Sequence, residues 1–529
     1  MILLLCFFAT TLAAAQGQDT AGAANARAVP SAPATKEGTS DALASANALM
    51  RDGKYADAAT AFGAIVEKDP TIAEAQAGLV RSLLRARKLD EAEEAGRKAA
   101  AAAPNSAAVH AAVGDVAFRN GKFGDAEAEY RAALRLDPNS PRGLYGIGRM
   151  YDMVSMHKRA KDAFARAHER DPEDKQVYSA WLQSLPYAEQ LEAVKKAAGD
   201  SGRQKAHLEF LAAAAQKKPW QLNGEPSATQ ISMKPYGRNL VGIFTGSREG
   251  ATPISKGYGL EVKFNGRASA VLLLDTGAGG IIIGRKLGER AGVVKIADSF
   301  YGGIGDQGPV RGYVGWVDKI NIGSLEFHNC IVEVSSRTDI ADESGLIGAD
   351  IFEDFLVTLD FREWKLLLDP LPKNPGSASG DGPQDRYIAP EMQSFTKVYR
   401  FGHFLIIPVV VSDKVMGNFV LDTGSDLNTI TPRLAQQVTK LNYEGMIIKG
   451  VSGSVKQVLS GDKLILQFGK LRVRSDDIPV FDLGFNSGSE GTDIAGLIGI
   501  RTLVQMKFTI DYRDGLVNFE PYERRTARE

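Results

Sequence analysis

Residues 271–283 read V-L-L-L-D-T-G-A-G-G-I-I-I, and residues 419–430 read F-V-L-D-T-G-S-D-L-N-T-I. In each stretch a β-branched and leucine-rich run ends in a carboxylate, turns through small residues and resumes as an apolar run. Asp275 and Asp422 stand 147 positions apart. An acid at the end of a buried strand is costly unless it has work to do. Its doubling therefore outweighs the plain reading of each stretch as a turn with a capping acid.

The similarity extends outward from both acids. A short helical stretch follows each, G-R-K-L-G-E-R-A-G or P-R-L-A-Q-Q-V. Each block closes with G-L-I-G and a strand ending in an acid and an aromatic, F-L-V-T-L-D-F (355–361) or M-K-F-T-I-D-Y (506–512). The last Gly of G-L-I-G is Gly348 in one block and Gly499 in the other, 73 and 77 residues past the acid. From about residue 228 onward, short β-branched runs alternate with Gly-containing turns, which is the signature of strands. L-P-K-N-P-G-S-A-S-G-D-G-P-Q-D-R, near 371–386, interrupts the pattern and reads as a linker.

The first part of the chain has a different period. Pro70, Pro104, Pro138 and Pro172 recur every 34 residues, as do Ala58, Ala92, Ala126 and Ala160. Phe62, Tyr130 and Phe164 keep the step, with a lapse at Gly96, and Ala46, Val80, Gly114 and Gly148 form a small-residue row. Small residues let antiparallel helices approach, the aromatic fills the gap, and Pro ends the second helix. The pattern resembles the tetratricopeptide repeat, with four repeats over about residues 39–174 and capping helices beyond. The register of that family places Arg51, Arg81, Arg85, Arg119, Arg142 and Arg149 toward a concave groove. Arg81, Arg119 and Arg149 are the candidates for an acidic peptide or protein partner, against the plainer reading of a solvated charged face.

The two D-T-G blocks resemble the aspartic proteases of retroviral type and their bacterial relatives. Two carboxylates that share a proton split into one ionised and one neutral group, so one can take a proton from water while the other polarises an amide carbonyl. The resemblance implies Asp275 and Asp422 as the catalytic pair. It also implies support from Thr276, Gly277 and Ala278 and from Thr423, Gly424 and Ser425, with the two Thr residues bonding across the axis and the Ser hydroxyl favouring the ionised carboxylate. Glycine-rich lids are expected at Gly302, Gly303 and Gly305 and at Gly450 and Gly453. The Arg that follows G-L-I-G in the viral enzymes is absent in both blocks, so the motif does not say what holds the halves together.

The expected architecture is an all-α tetratricopeptide solenoid followed by an all-β tandem acid-protease barrel pair. The segments are a signal peptide (1–15), a flexible linker (16–38), a repeat domain with capping helices (39–228), half one (229–371), a linker (372–387) and half two (388–522). The expected activity is that of an aspartic endopeptidase acting on polypeptide, without cofactor or metal. The alternative on the same fold is a catalytically silent peptide-binding protein. A third arrangement pairs each half with its copy in another chain.

Composition restricts the rest. The chain has 529 residues, 44% apolar and 24% charged, and a net charge of −1. That charge argues against wholesale binding to nucleic acid or an anionic membrane. M-I-L-L-L-C-F-F-A-T-T-L-A-A-A-Q, too short to span a bilayer, reads as an export signal to a periplasm or beyond. Its removal leaves Cys330 as the sole cysteine, in an apolar run that reads as core. Gly303–Gly308 fits G-x-G-x-x-G, but strand-like sequence follows it, so dinucleotide binding is rejected. The six histidines form no metal-binding motif.

Overall fold

The computed structural model describes residues 36–197, 202–236, 257–304, 310–336, 345–375, 384–450, 453–483 and 491–523. The leader and most of the first linker lie outside them, as do Gly305, Val451 and Ser452. The chain forms two compact units, each described below by itself. Among the described residues no helix is long and apolar enough to cross a membrane.

The helical unit takes in residues up to 150 and 159–184. Each periodic Pro lies two residues past the end of a second helix: Tyr55–Lys68, Leu89–Ala102, Phe123–Leu136 and His157–Arg170. The alanine row is buried throughout. The aromatic row explains the small-residue row. A Cβ on Gly114 would lie 2.7 Å from the Tyr130 ring, and a Cβ on Gly148 would lie 2.6 Å from the Phe164 ring. Where the aromatic lapses to Gly96, the small-residue row carries the larger Val80, fully buried. A Cβ on Gly96 would meet Val116 at 3.6 Å and Val113 at 4.0 Å, so valines of the next helix pack there instead of an aromatic ring.

The second unit takes in 151–158 and everything from Leu185 onward. Helices Tyr187–Ala197 and Gly202–Gln216, expected to cap the repeat stack, therefore group with the β structure. Ala206, Phe210 and Ala213 pack against Ala297, Val314, Trp316 and Ile331 of the first half, and Phe210 meets Tyr187 edge-on at 5.9 Å. This moves the boundary of the β unit from 229 to about 185.

The two halves repeat one topology. Strand Ala268–Asp275 runs parallel to Gly345–Gly348, with Asp275 beside Gly348, and strand Val415–Asp422 runs parallel to Gly496–Gly499, with Asp422 beside Gly499. Each half also has a long hairpin: Val294–Tyr301 with Val310–Ile322, and Leu441–Gly450 with Gly453–Gly461.

A six-stranded sheet joins the halves. Strand Phe355–Asp360 pairs antiparallel with Met506–Asp511, flanked by Lys365–Pro370 and Thr229–Ser232 on one side and by Leu516–Pro521 and Thr396–Lys397 on the other. Thr358 faces Thr509, its own counterpart in the repeat, and their hydroxyls hydrogen-bond at 2.9 Å. A pseudo-twofold axis therefore passes between these two residues. Val357, Leu359, Phe508 and Ile510 continue one core across the axis. The halves thus pair with each other within the single chain described.

Candidate active site

The two D-T-G loops meet on the same axis. Thr276 Oγ1 donates to Leu421 O at 2.8 Å and accepts from Thr423 N–H at 3.1 Å. Thr423 Oγ1 donates to Leu274 O at 2.8 Å and accepts from Thr276 N–H at 3.0 Å. Each hydroxyl donates once and accepts once, so four buried bonds lock the loops and leave no bonded partner unsatisfied.

Above this lock the carboxyls of Asp275 and Asp422 face each other and hydrogen-bond. Gly277 N–H donates to Asp275 Oδ1 at 2.8 Å, and Gly424 N–H donates to Asp422 Oδ1 at 2.9 Å. Each acid also packs on the glycine of the opposite loop. A Cβ on Gly277 would lie 2.7 Å from Asp422 Cγ, and one on Gly424 would run into the Asp275 carboxylate. Glycine is required here for close approach, and neither residue has positive φ.

Burial raises both carboxyls above the usual range. Asp275 is drawn back by the Gly277 N–H, whereas Asp422 is driven further up by the charge of Asp275. The two acids therefore titrate as one coupled pair that holds a single shared proton. Ser425 acts differently from expectation. Its hydroxyl donates to Leu427 O at 3.0 Å, and its main-chain N–H, not the hydroxyl, reaches Asp422 Oδ1 at 3.0 Å. Ala278 on the other loop offers no hydroxyl.

The glycines expected in lids fall on the two long hairpins. Gly302 and Gly303 follow Tyr301, the last paired residue of its strand, and Gly450 pairs with Gly453 at the end of the second hairpin. Val310 of the first hairpin packs near Ala278 and Leu273. Ile304 joins Ile448 and Val455 of the second hairpin on a cluster that includes Val420 and Leu497. Gly305 lies outside the described residues.

Several supporting residues escape sequence reasoning. The Asp350 carboxylate accepts from Gly280 N–H at 3.0 and 3.2 Å and is pushed up to about 7, first by burial and, against the Gly280 bond, by Glu353. The second half is braced in the opposite sense: Asn428, on the D-T-G stretch itself, accepts through Oδ1 from Gly499 N–H at 2.9 Å, and its amide donates to Thr502 and Ser475, both at 2.8 Å, while Arg501, the counterpart of Asp350, pairs with Asp426. The halves are further tied by Arg400. It donates to the Glu353 carboxylate at 3.0 Å and to the Tyr512 and Gly402 carbonyls. Both charged side chains of this pair are largely buried. This ion pair supplies a cross-half link that the motif had left without a candidate. Asp350 could have been noticed from its place directly after G-L-I-G-A; nothing in the sequence marks Arg400 or Glu353.

The groove arginines of the helical unit fare unequally. Arg142 binds Asp115 at 2.7 Å and Asp174 at 3.0 Å, and Arg149 binds Asp115 at 2.6 Å while lying over Phe118. Arg85 donates to the Tyr55 hydroxyl, Arg51 lies 3.6 Å from Glu173, and Arg119 has partners of its own. Arg149 is thus a structural ion-pair residue. Arg81 alone of the six makes no hydrogen bond or ion pair among the described residues. Burial and the neighbouring Arg142 hold its guanidinium below its usual range.

Comparison with known families agrees with both modules. Residues 260–351 match the family model described as aspartyl protease, and residues 43–107 and 112–175 match the tetratricopeptide repeat. The C-terminal region thus carries a retropepsin-like aspartyl protease domain, and the N-terminal region carries tetratricopeptide repeats. Similar solved structures include an aspartic proteinase from Irpex lacteus (12% identity, 57% of this chain and 99% of that one, TM-score 0.34). They also include Pseudomonas aeruginosa PilF (18%, 34% and 85%, 0.26) and the APC/C hetero-tetramer Cut9–Hcn1 (15%, 34% and 37%, 0.28). No curated protein matches the chain.

Proposed function

We propose that the β unit is an aspartic endopeptidase. Asp275, ionised, takes a proton from a water molecule held between the two acids. Asp422, neutral, donates to the carbonyl oxygen of the peptide bond under attack. The water oxygen bonds to the carbonyl carbon; as the C–N bond breaks, the proton on Asp275 passes to the leaving amine and a hydroxyl of the intermediate returns its proton to Asp422, which restores the pair. The hairpins that carry Gly302, Gly303 and Gly305 and Gly450 and Gly453 cover the substrate and exclude water. The reading rests above all on the four-bond lock between Thr276 and Thr423, which brings two carboxyls into hydrogen-bonding contact.

The helical unit supplies a protein-binding surface, in which Arg81, without a hydrogen bond or ion pair among the described residues, attracts an acidic partner. The N-terminal leader directs export. The decisive experiment is incubation of the chain lacking residues 1–15 with a diverse peptide mixture, with and without pepstatin. Inhibitor-sensitive cleavage is expected. Peptide binding without any cleavage would establish the silent alternative.

A further inference from the structure

The turn between strands Tyr399–Phe401 and Phe404–Val411 consists of Gly402 and His403, since Phe401 pairs with Phe404. It belongs to the second half, but its imidazole lies on the first D-T-G loop. A Cβ on Gly279 would sit 2.8 Å from His403 Nδ1 and 3.0 Å from Cγ, so the ring rests directly on the bare Cα of Gly279. The ring also makes a polar contact with the main chain of Gly277, the residue whose N–H binds the Asp275 carboxylate.

The turn itself is fastened. Arg400 Nε donates to Gly402 O at 3.0 Å, and the same guanidinium holds Glu353 of the first half. Phe404 backs the imidazole at a ring separation of 4.1 Å. The second D-T-G loop is different at this place. The position equivalent to Gly279 is Asp426, an exposed side chain paired with Arg501 at 2.9 Å. Gly279 and His403 thus form a complementary pair on one side of the axis, a bare Cα and the ring that fills it.

We propose that His403 is a positioning residue for Asp275, reaching across from the second half to hold the Gly277–Gly279 turn against the dyad. The proposal rests on the endopeptidase reading. His403 does not exchange protons with substrate. It fixes the peptide units that set the place and hydrogen bonding of the Asp275 carboxylate, and so helps make the two acids unequal. Burial, with Arg400 nearby, lowers the imidazole to about 4, so the ring is neutral over most of the pH range and acts without carrying charge.

The test combines turnover with direct titration of the acids. In His403→Ala, kcat should fall about 10- to 100-fold with KM little changed, because loss of placement costs the reaction more than it costs binding. His403→Gln, which keeps an N–H donor, should recover part of the loss. Gly279→Ala should displace the ring and match His403→Ala. The double variant should be no worse than either single one, the mark of two residues acting as one unit. Thermal melting of each variant identifies any that fail to fold, and His403→Gln provides a mild variant in that case. In parallel, ¹³C NMR of labelled aspartate carboxyls follows the pH titration of Asp275 and Asp422. Their separation should narrow in His403→Ala. If the titration moves in a protein that cleaves nothing, the positioning role stands and the endopeptidase reading falls. If folded variants keep both kcat and the carboxyl titration of the parent, the proposal is overturned. Additive losses in the double variant would also overturn it.

Discussion

The two D-T-G loops are alike where they touch and unlike where they are supported. Thr276 and Thr423 make the same four bonds in mirror roles, within 0.1 Å of one another. Behind them the first loop hangs on a raised carboxylate, Asp350, and a borrowed imidazole, His403. The second hangs on a neutral amide, Asn428, and the main-chain N–H of Ser425. The symmetry is kept where both loops must share one geometry. It is broken where each carboxyl receives its surroundings. Two acids in identical surroundings could share a proton only on equal terms; unequal supports make those terms unequal.

The most severe way to break the comparison is to remove one acid. Asp275→Asn or Asp422→Asn should each lower peptide cleavage by on the order of 10⁴-fold or more, and the double variant no further, because the acids act as a unit. The fold should survive, as circular dichroism would register. Activity per molecule should be constant over about a hundredfold dilution, since the site is built within one chain.

Cutting the cross-half ion pair comes next. Arg400→Ala should cost about 1–3 kcal/mol in denaturant unfolding, because it removes a charged partner of the largely buried Glu353 and the donor to the Tyr512 and Gly402 carbonyls. The threonines test the symmetric part. Thr276→Val and Thr423→Val should each cost about 2–3 kcal/mol by the same measurement, with values close to each other, since each deprives one buried N–H and one buried C=O of a partner.

The asymmetric part responds to pH. Asp350 is raised in the folded protein to about 7, against an ordinary value of 3.8. Between those values the folded state binds more protons than the unfolded, so stability falls as pH rises through that window. Asp350→Asn should flatten this slope and raise stability at pH 8 by at least about 1 kcal/mol. The exchange Asn428→Asp on the other loop should introduce a slope of the same sign. The smallest effect concerns the helical unit. Arg81→Glu should weaken capture of an acidic probe peptide by the full chain about tenfold and leave cleavage of neutral peptides unchanged.

Much of this was legible in the sequence because it is written there twice or more. Doubled D-T-G and G-L-I-G motifs disclosed a duplicated β fold, and the 34-residue step disclosed the repeats. Features that occur once had no second copy to betray them. Arg400 and Glu353 lie 47 residues apart with no common motif, and their pairing follows from strand placement alone. Helix Gly202–Gln216 has the alanine-rich composition of the repeat helices, and only the packing of Phe210 on the first half shows where it belongs. Arg142, Arg149 and Arg81 look equivalent on a first-helix face. The position of Asp115 decides that two are bound and one is left over.

The six-stranded sheet has a consequence for the birth of the molecule. Chains leave the ribosome N-terminus first, and domains fold as they appear. Strand Phe355–Asp360 waits for Met506–Asp511, and the strand that ends in Asp422 waits for Gly496–Gly499. More than 200 residues separate Asp275 from the last of these partners. Throughout that interval a nascent chain carries one acid, or two that nothing has yet brought together. Completion of synthesis to about residue 511 is therefore a built-in delay on the assembly of the paired acids.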